Sequence, residues 1–429
     1  MTNEELKRLK SEFDMDRQQI RRNWAYTQGK NPTVLGQYPK KDPDNRIPVP
    51  WAKMAVEDMT GYMGKVSLYW DNLTTEASAA EDMKEDEYIQ KMKVILDWND
   101  WDLTIEEARK TALSFGRSYI LVWYAEDMVE FALVRNSEWQ LIHSNDIKPK
   151  LLSAIHWMSD KVAHVYTDVA MEVWRESNGD WRHIEEEDVP HFFKAVPLAV
   201  FPINYEQAPL FEAEKSLIDA HDQLISKSQN EIDRFNALIA LFPGKIDKAF
   251  IQKLNEIKAI DDLGQYDHWP EYLEKSLTNI DAFYNNLADR FERLYHKSIK
   301  VPDFSDENFG GQSTGIALAY KLLGLEFKAT TIETYFKQGI VKLVELINQI
   351  IRITTTGMNP DDYKMTIHSE RRLPVDKTAA VQIAVALAGL GVSMETVLKS
   401  LPSDIIGDVE EELKRIEESS PEVPEMLAE

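Results

Sequence analysis

EAEKSLIDAHDQLISKSQNEIDRFNALIALF, residues 212–242, contains neither proline nor glycine. Ile218, Ile225, Ile232 and Ile239 recur every seven residues along it. Phe235 and Phe242 supply part of a second heptad position, held earlier by His221 and Ser228. Asp222, Gln229, Asp233 and Asn236 fall on the opposite side. One apolar and one polar stripe over so long a run specify an amphipathic helix. At ~1.5 Å per residue it extends roughly 45 Å. Pro243-Gly244 ends it.

A partner helix follows in SLTNIDAFYNNLADRFERLYHKSI (276–299). Leu277, Ile280, Phe283, Tyr284, Leu287, Phe291, Leu294 and Tyr295 recur there at helical spacing, and Pro302 stops the run. The piece between the two, 243–275, mixes strand and helix signals and carries Trp269-Pro270 near its end. A third long helix starts near Ser313 or Thr314, either of which caps it, and runs to 353. Gly324 and Gly339 interrupt it, so a bend is expected. YKMTIHS (363–369) is strand-like, 376–418 reads as small helices, and the SSPEVPEMLAE tail as disordered.

Upstream, 1–30 reads as a helix with a basic end, followed by the loop NPTVLGQYPKKDPDNRIPVP (31–50). WAKMAVEDMTGYMG (51–64) is helical, with stops at Gly61 and Gly64, and 81–115 is helical throughout. The period then changes. SYILVWY (118–124) opens an antiparallel β region over 116–205, and Asn178-Gly179-Asp180 marks a hairpin between EVW and WRH. The chain is therefore α+β and mostly helical.

The 429 residues suffice for two or three subdomains, and 43% hydrophobic with 28% charged residues is a globular balance. The formal net charge of −24 opposes tight wrapping of nucleic acid. It suits plain solubility, or a protein that touches DNA without adhering. The absence of cysteine removes disulfides, thiolate metal sites and Cys nucleophiles. The charged N-terminus has no apolar signal core, and AAVQIAVALAGLGV (379–392) is too short to span a bilayer, so it is expected to form a buried helix.

Chemical motifs are weak. In GGQSTGIA (310–317), Gly310 and Gly315 have P-loop spacing, but Ile316 and Ala317 stand where Lys and Ser/Thr are required. No helix carries His-Glu-x-x-His, and His183 with His191 is the closest histidine pair in prospect. Glu185, Glu186, Glu187 and Asp188 read as a solvated acidic loop, and Asp261-Asp262 and Asp361-Asp362 as turn residues. No Gly-x-Ser-x-Gly elbow occurs. No catalytic residues, metal ligands or cofactor are assigned, and no enzymatic activity is expected.

Five strings, in order, resemble the portal proteins of Gram-positive siphophages. They are NRIPVPWAKMAVEDMTGYMGKVSLYW (45–70), with Glu57-Asp58 at the family's acidic position, ARKTALSFGRSYILVWY (108–124), KAVPLAVFPIN (194–204), LIDAHDQLISKSQNEIDRF (217–235) and STGIALAYKLLGLEFKA (313–329). Residues 243–275 and those after 376 carry no such signature. The resemblance implies a wing, stem, clip and crown architecture assembled as a ring, twelve-fold in the particle. Residues 1–210 would be wing, 211–242 and 276–300 the stem helices, and 243–275 the clip. Residues 301–312 would form the tunnel loop, 313–375 the long bent helix and its return to the wing, and 376–429 crown and tail.

The resemblance further implies a DNA channel at one capsid vertex, for packaging by the terminase motor ATPase and for later ejection. Its partners would be further copies of itself, non-specifically held double-stranded DNA, the terminase, a head–tail adaptor, and capsid and scaffold proteins, with no membrane. Assembly would occur in the host cytoplasm. The tunnel loop would be Asp303, Phe304, Ser305, Asp306, Glu307, Asn308, Phe309, Gly310 and Gly311. Lys245, Asp247, Lys248, Tyr266 and Trp269 would meet partners at the clip. Arg290, Arg293, Lys297 and Lys300 precede the loop, and either facing DNA or pairing with a neighbouring subunit suits them. Helices so one-sided also suit a ring, where each packs on its neighbour in a contact that closes by rotation. Two rivals are a virion scaffold or adaptor without a channel, and a metal-dependent nuclease or hydrolase using the acidic clusters.

Overall fold

The computed structural model describes residues 1–36, 43–73, 86–235, 240–241, 271–272, 277–304, 315–355, 358–372, 377–399, 401, 406 and 409–419. The first helices are α1 (Asn3–Thr27), α2 (Pro32–Leu35), α3 (Trp51–Met63), α4 (Glu87–Trp98) and α5 (Trp101–Phe115). After the β region come α6 (Lys215–Phe235), α7 (Leu277–Ile299), α8 (Gly315–Thr354), α9 (Lys377–Gly389), α10 (Met394–Lys399) and α11 (Val409–Ser419). Thr2 and Glu5 cap the start of α1 reciprocally, satisfying two amides that a helix start leaves open.

The β region resolves into two sheets. β2 (Arg117–Ala125), β3 (Met128–Val134) and β10 (Leu198–Pro202) form an antiparallel sheet in the order β10-β2-β3. β4 (Trp139–His143), β5 (Leu151–Ser159), β6 (Val162–Tyr166), β7 (Ala170–Ser177) and β8 (Asp180–His183) form the second, with β9 (Val189–Pro190) paired to β7. Asn178 and Gly179 turn the β7–β8 hairpin at φ 55° and 85°, as the local sequence predicts. Two further antiparallel pairs join β11 (Ala240–Leu241) to β12 (Glu271–Tyr272) and β1 (Val66–Asn72) to β13 (Tyr363–Ser369), the latter far apart in sequence.

Three apolar clusters organise these elements. Leu6, Leu9 and Phe13 of α1 cover the second sheet, and Phe13 stacks on Trp157 at 5.8 Å. Tyr119, Trp139, Ala154, Val196 and Leu198 fill the space between the two sheets. The largest cluster lines α8 through Ile332, Phe336, Ile340, Leu343 and Ile347, against α3, α5 and the first sheet. Arg109, on α5, is buried in it, donating to the Gly64 carbonyl at 2.6 Å. Burial pulls its pKa down to about 10. Arg371, just beyond β13, binds Glu326 at 3.0 Å and Glu333 at 2.8 Å on α8, and Tyr62 of α3 donates to Glu326.

Four expectations are corrected. The helical pattern of 81–115 breaks at Asn99-Asp100, because the Asn99 side chain bonds Phe131 N and Val129 O on β3 and Asp100 takes φ 47°. Helix α3 passes through Gly61 and stops at Gly64, where a Cβ would lie 1.8 Å from the Glu370 carbonyl. Helix α8 is unbroken at both glycines. Gly339 instead admits β10, since a Cβ there would meet the Phe201 ring at 2.4 Å. In 379–392, α9 does form, but Val381, Ile383, Val385 and Leu390 are exposed, and among the described residues Ala384 is buried with Leu387 and Val392 partly covered.

Candidate functional site

The decisive geometry surrounds α6 and α7, which pack on each other. The polar face of α6 is not a solvent face. The extended segment before α3 lies along it, and its alternate amides meet polar residues one helical turn apart. Asn45 N donates to Asn230 Oδ1 at 2.6 Å, Ile47 N to Ser226 Oγ at 3.0 Å, and Val49 N to Asp222 Oδ1 at 3.2 Å. Two extended residues rise about 6.6 Å and four helical residues about 6 Å, so the two repeats stay in step. Pro48 stands between two of these amides and Pro50 follows the last, positions where no donor to α6 is required. Asp222 is fully buried and also accepts from Asn31 Nδ2 at 2.8 Å. The sequence reading placed Asp222, Gln229 and Asp233 opposite the packing face. The amide donors of the neighbouring extended segment make that side an interface.

Trp51 closes the proximal end. Its indole N–H donates to His221 Nδ1 at 3.1 Å on α6, and its carbonyl accepts from Tyr295 Oη at 2.7 Å on α7. Burial pushes the Tyr295 phenol far above its ordinary value. Ser298 of α7 donates to the buried Glu214 at 2.7 Å, and Lys328 of α8 donates to the Ile299 carbonyl at 2.9 Å. Burial draws the Lys328 ammonium below its usual pKa, against the opposing pull of Glu214.

Cover is lost along the two helices away from this anchor. Ile218 is buried, whereas Ile232 is 43% exposed. On α7, Tyr295 and Ile299 are buried, whereas Phe283 is 62% exposed. The expected helix to 242 is corrected here: α6 is described to Phe235, and Ala240–Leu241 instead pairs antiparallel with Glu271–Tyr272, because its backbone groups bond that remote segment rather than a helical turn. Tyr320, Leu323 and Phe327 at the start of α8 are also exposed.

Arg290, Arg293 and Lys297 lie at i, i+3 and i+7 on α7, all exposed, on the side away from Tyr295 and Ile299. Lys300, also exposed, leaves the helix with φ 64° and lays its methylenes near Gly324 of α8. The four basic residues thus do gather at one end. Of the expected loop, Asp303 and Phe304 are described, the latter 45% exposed. Ser305, Asp306, Glu307, Asn308, Phe309, Gly310 and Gly311 lie outside the described residues, as do Lys245, Asp247, Lys248, Tyr266 and Trp269, Asp261-Asp262 and most of GGQSTGIA.

The acidic and histidine motifs resolve into local pairs. His183 binds Asp188 at 2.8 Å, and Glu187 pairs with Arg175 at 2.7 Å. His191 sits 3.1 Å from the Thr167 carbonyl. The close histidine pair is His156 and His164, opposite one another on β5 and β6 with rings 6.2 Å apart, and strand register rather than chain proximity unites them. Burial lowers both pKa values.

One constellation was missed. Glu292 and His296 of α7 and Asp303 beyond it bring an imidazole nitrogen and two carboxylate oxygens within 4.8 Å of one another. The i, i+4 spacing of Glu292 and His296 was the available signal. Asp58 of α3 is near, and burial, with Glu57 and Asp303 adding to it, holds its carboxyl above the usual range. No helix among the described residues is long and apolar enough to cross a membrane.

Nearly all of helix α6 and the 45–49 segment that ladders onto it lie within two of the strings on which the resemblance rested, whereas α7 lies outside all five. The match to the family described as "Phage portal protein, SPP1 Gp6-like" spans residues 6–424, and the chain belongs to that family of phage portal proteins. Among individual proteins, it is similar to the portal protein of Clostridium phage phiCD119, 22% identical over 350 residues covering 74% of each chain. It also resembles a chain in a solved structure titled "Neck of empty GTA particle computed with C6 symmetry", at 13% identity and a TM-score of 0.44, covering 82% of this chain and 90% of that one.

Proposed function

We propose that this portal protein works as a closed ring, dodecameric in the particle, around a DNA channel at one capsid vertex. The carrying observation is the uncovered apolar surface of α6, α7 and the start of α8, where Ile232, Phe283, Tyr320 and Phe327 face solvent in a single chain. An isolated helix pair gains little from such surface, whereas a neighbour related by rotation buries it in every interface. In this reading 1–210 is wing, 211–242 and 276–300 are stem, 243–275 is clip, 301–312 is tunnel loop, 313–375 returns to the wing and 376–429 is crown. The clip is where the terminase motor and later the head–tail adaptor dock, and capsid and scaffold proteins meet the outer body. The protein acts as a structural virion component without a catalytic role.

The net charge of −24 keeps DNA from adhering, and the Arg290, Arg293, Lys297 face offers a weak positive girdle near the loop. In this reading the exposed Phe304 packs on the loop of a neighbouring subunit. Negative-stain images of the purified protein test the assembly: rings with an axial hole are expected, and a compact monomer refutes it. Deleting 304–309 is expected to abolish packaging. Unchanged packaging with intact rings removes the loop from the mechanism.

A further inference from the structure

We propose that Glu292, His296 and Asp303 form a divalent transition-metal site that pins the chain beyond α7 to the last turns of that helix. The three side chains are each half-buried, and their ligand atoms already lie within 4.8 Å of one another. One imidazole nitrogen and two carboxylate oxygens are the donor types of a three-ligand zinc-class site that keeps an open position. The imidazole favours Zn²⁺ over Mg²⁺ or Ca²⁺, which take all-oxygen sets.

The surroundings suit this role. His296 Nδ1 lies 2.8 Å from the Val301 carbonyl, so Nδ1–H donates and Nε2 keeps its lone pair. A backbone acceptor on the second ring nitrogen is the usual means of orienting a metal-bound histidine. The ring is wedged edge-on against Trp51 at 5.9 Å and Tyr295 at 5.6 Å, and so is restrained on its helix. Glu292 is one turn earlier on the same rigid helix, which leaves Asp303 as the ligand on non-helical chain. A bound cation would also neutralise a concentration of carboxylate that includes Asp58. Bridging Asp303 to α7 would hold the base of the segment that follows it.

Calorimetric titration of the purified full chain with ZnCl₂, and separately with MgCl₂, tests it, with Co²⁺ absorption as a second readout. One Zn²⁺ per protomer is expected, with Mg²⁺ silent and tetrahedral-type Co²⁺ bands. His296→Gln and Asp303→Asn should each weaken Zn²⁺ binding by at least about tenfold. Asp303→Asn lies outside the helix and guards against a folding defect in the His296 variant. No stoichiometric Zn²⁺ binding, or equal affinity in wild type and both variants, overturns the site. Negative-stain images of the same samples report ring assembly separately.

Discussion

Replacing Gly339 by alanine should destabilise the protein, although the same change inside a helix ordinarily stabilises. Alanine over glycine in a helix interior gains about 1 kcal/mol. At Gly339 the new Cβ would lie 2.4 Å from two carbons of the Phe201 ring and 2.8 Å from the Val200 carbonyl oxygen. Both belong to β10. Phe201 is fully buried, packs on Phe336 at 5.0 Å between ring centroids, and sits on a strand bonded to β2. Neither contact can swing aside, so the overpacking cost falls at the upper end of about 1–3 kcal/mol. The net expectation is a loss of about 1–2 kcal/mol once the helix gain is subtracted.

Gly324→Ala supplies the control in the same helix. Its Cβ meets only the Lys300 methylenes, at 3.6 Å, an ordinary contact. That variant should gain about 1 kcal/mol. Urea unfolding followed by circular dichroism reads both, at one protein concentration because assembly couples stability to it. If the two alanines shift the midpoint in the same direction, the close approach of α8 to β10 is wrong.

Further expectations concern the ladder, the α8 ion pairs and the basic face. Asp222→Ala leaves the Val49 amide and the Asn31 side chain without their acceptor and should cost about 2–4 kcal/mol, against about 1 for Ser226→Ala, by urea midpoint; equal effects would argue against a graded ladder. Glu333 is half-buried, which alone would raise its pKa, but hydrogen bonds from Lys337 and Arg371 bring it from 4.5 down to about 2. A depressed folded pKa adds stability above about pH 4.5 that disappears as pH falls toward 2, up to about 3 kcal/mol here. Wild type should therefore lose more stability than Glu333→Gln between pH 5 and pH 3, and parallel slopes would refute it. Reversing Arg290, Arg293 and Lys297 to glutamate should lower packaging with rings intact if they face DNA; failure of ring assembly would instead assign them to subunit contacts.

Much of this architecture was legible in the chain. The Asn178-Gly179 turn and the β-branched run at 118–124 depend on local backbone preference and formed where their patterns lie, while the isoleucine repeat gave a helix as far as Phe235 and not the strand residues Ala240–Leu241. Periodicity reports which residues share a face but not what lies against it. The sequence thus put Asp222, Gln229 and Asp233 opposite the apolar stripe of α6 without showing that the 45–49 backbone lies there with amides to satisfy. The apolar α9 looked buried, yet one chain leaves most of its described residues uncovered. Gly339 looked like a bend because its partner strand is remote in sequence. His156 with His164, and Asp303 with Glu292 and His296, were joined only by register and by the turn after α7. Local sequence chose the helices and strands through short-range sterics and amphipathicity; contacts between distant segments decided which of their faces became interior, interface or site.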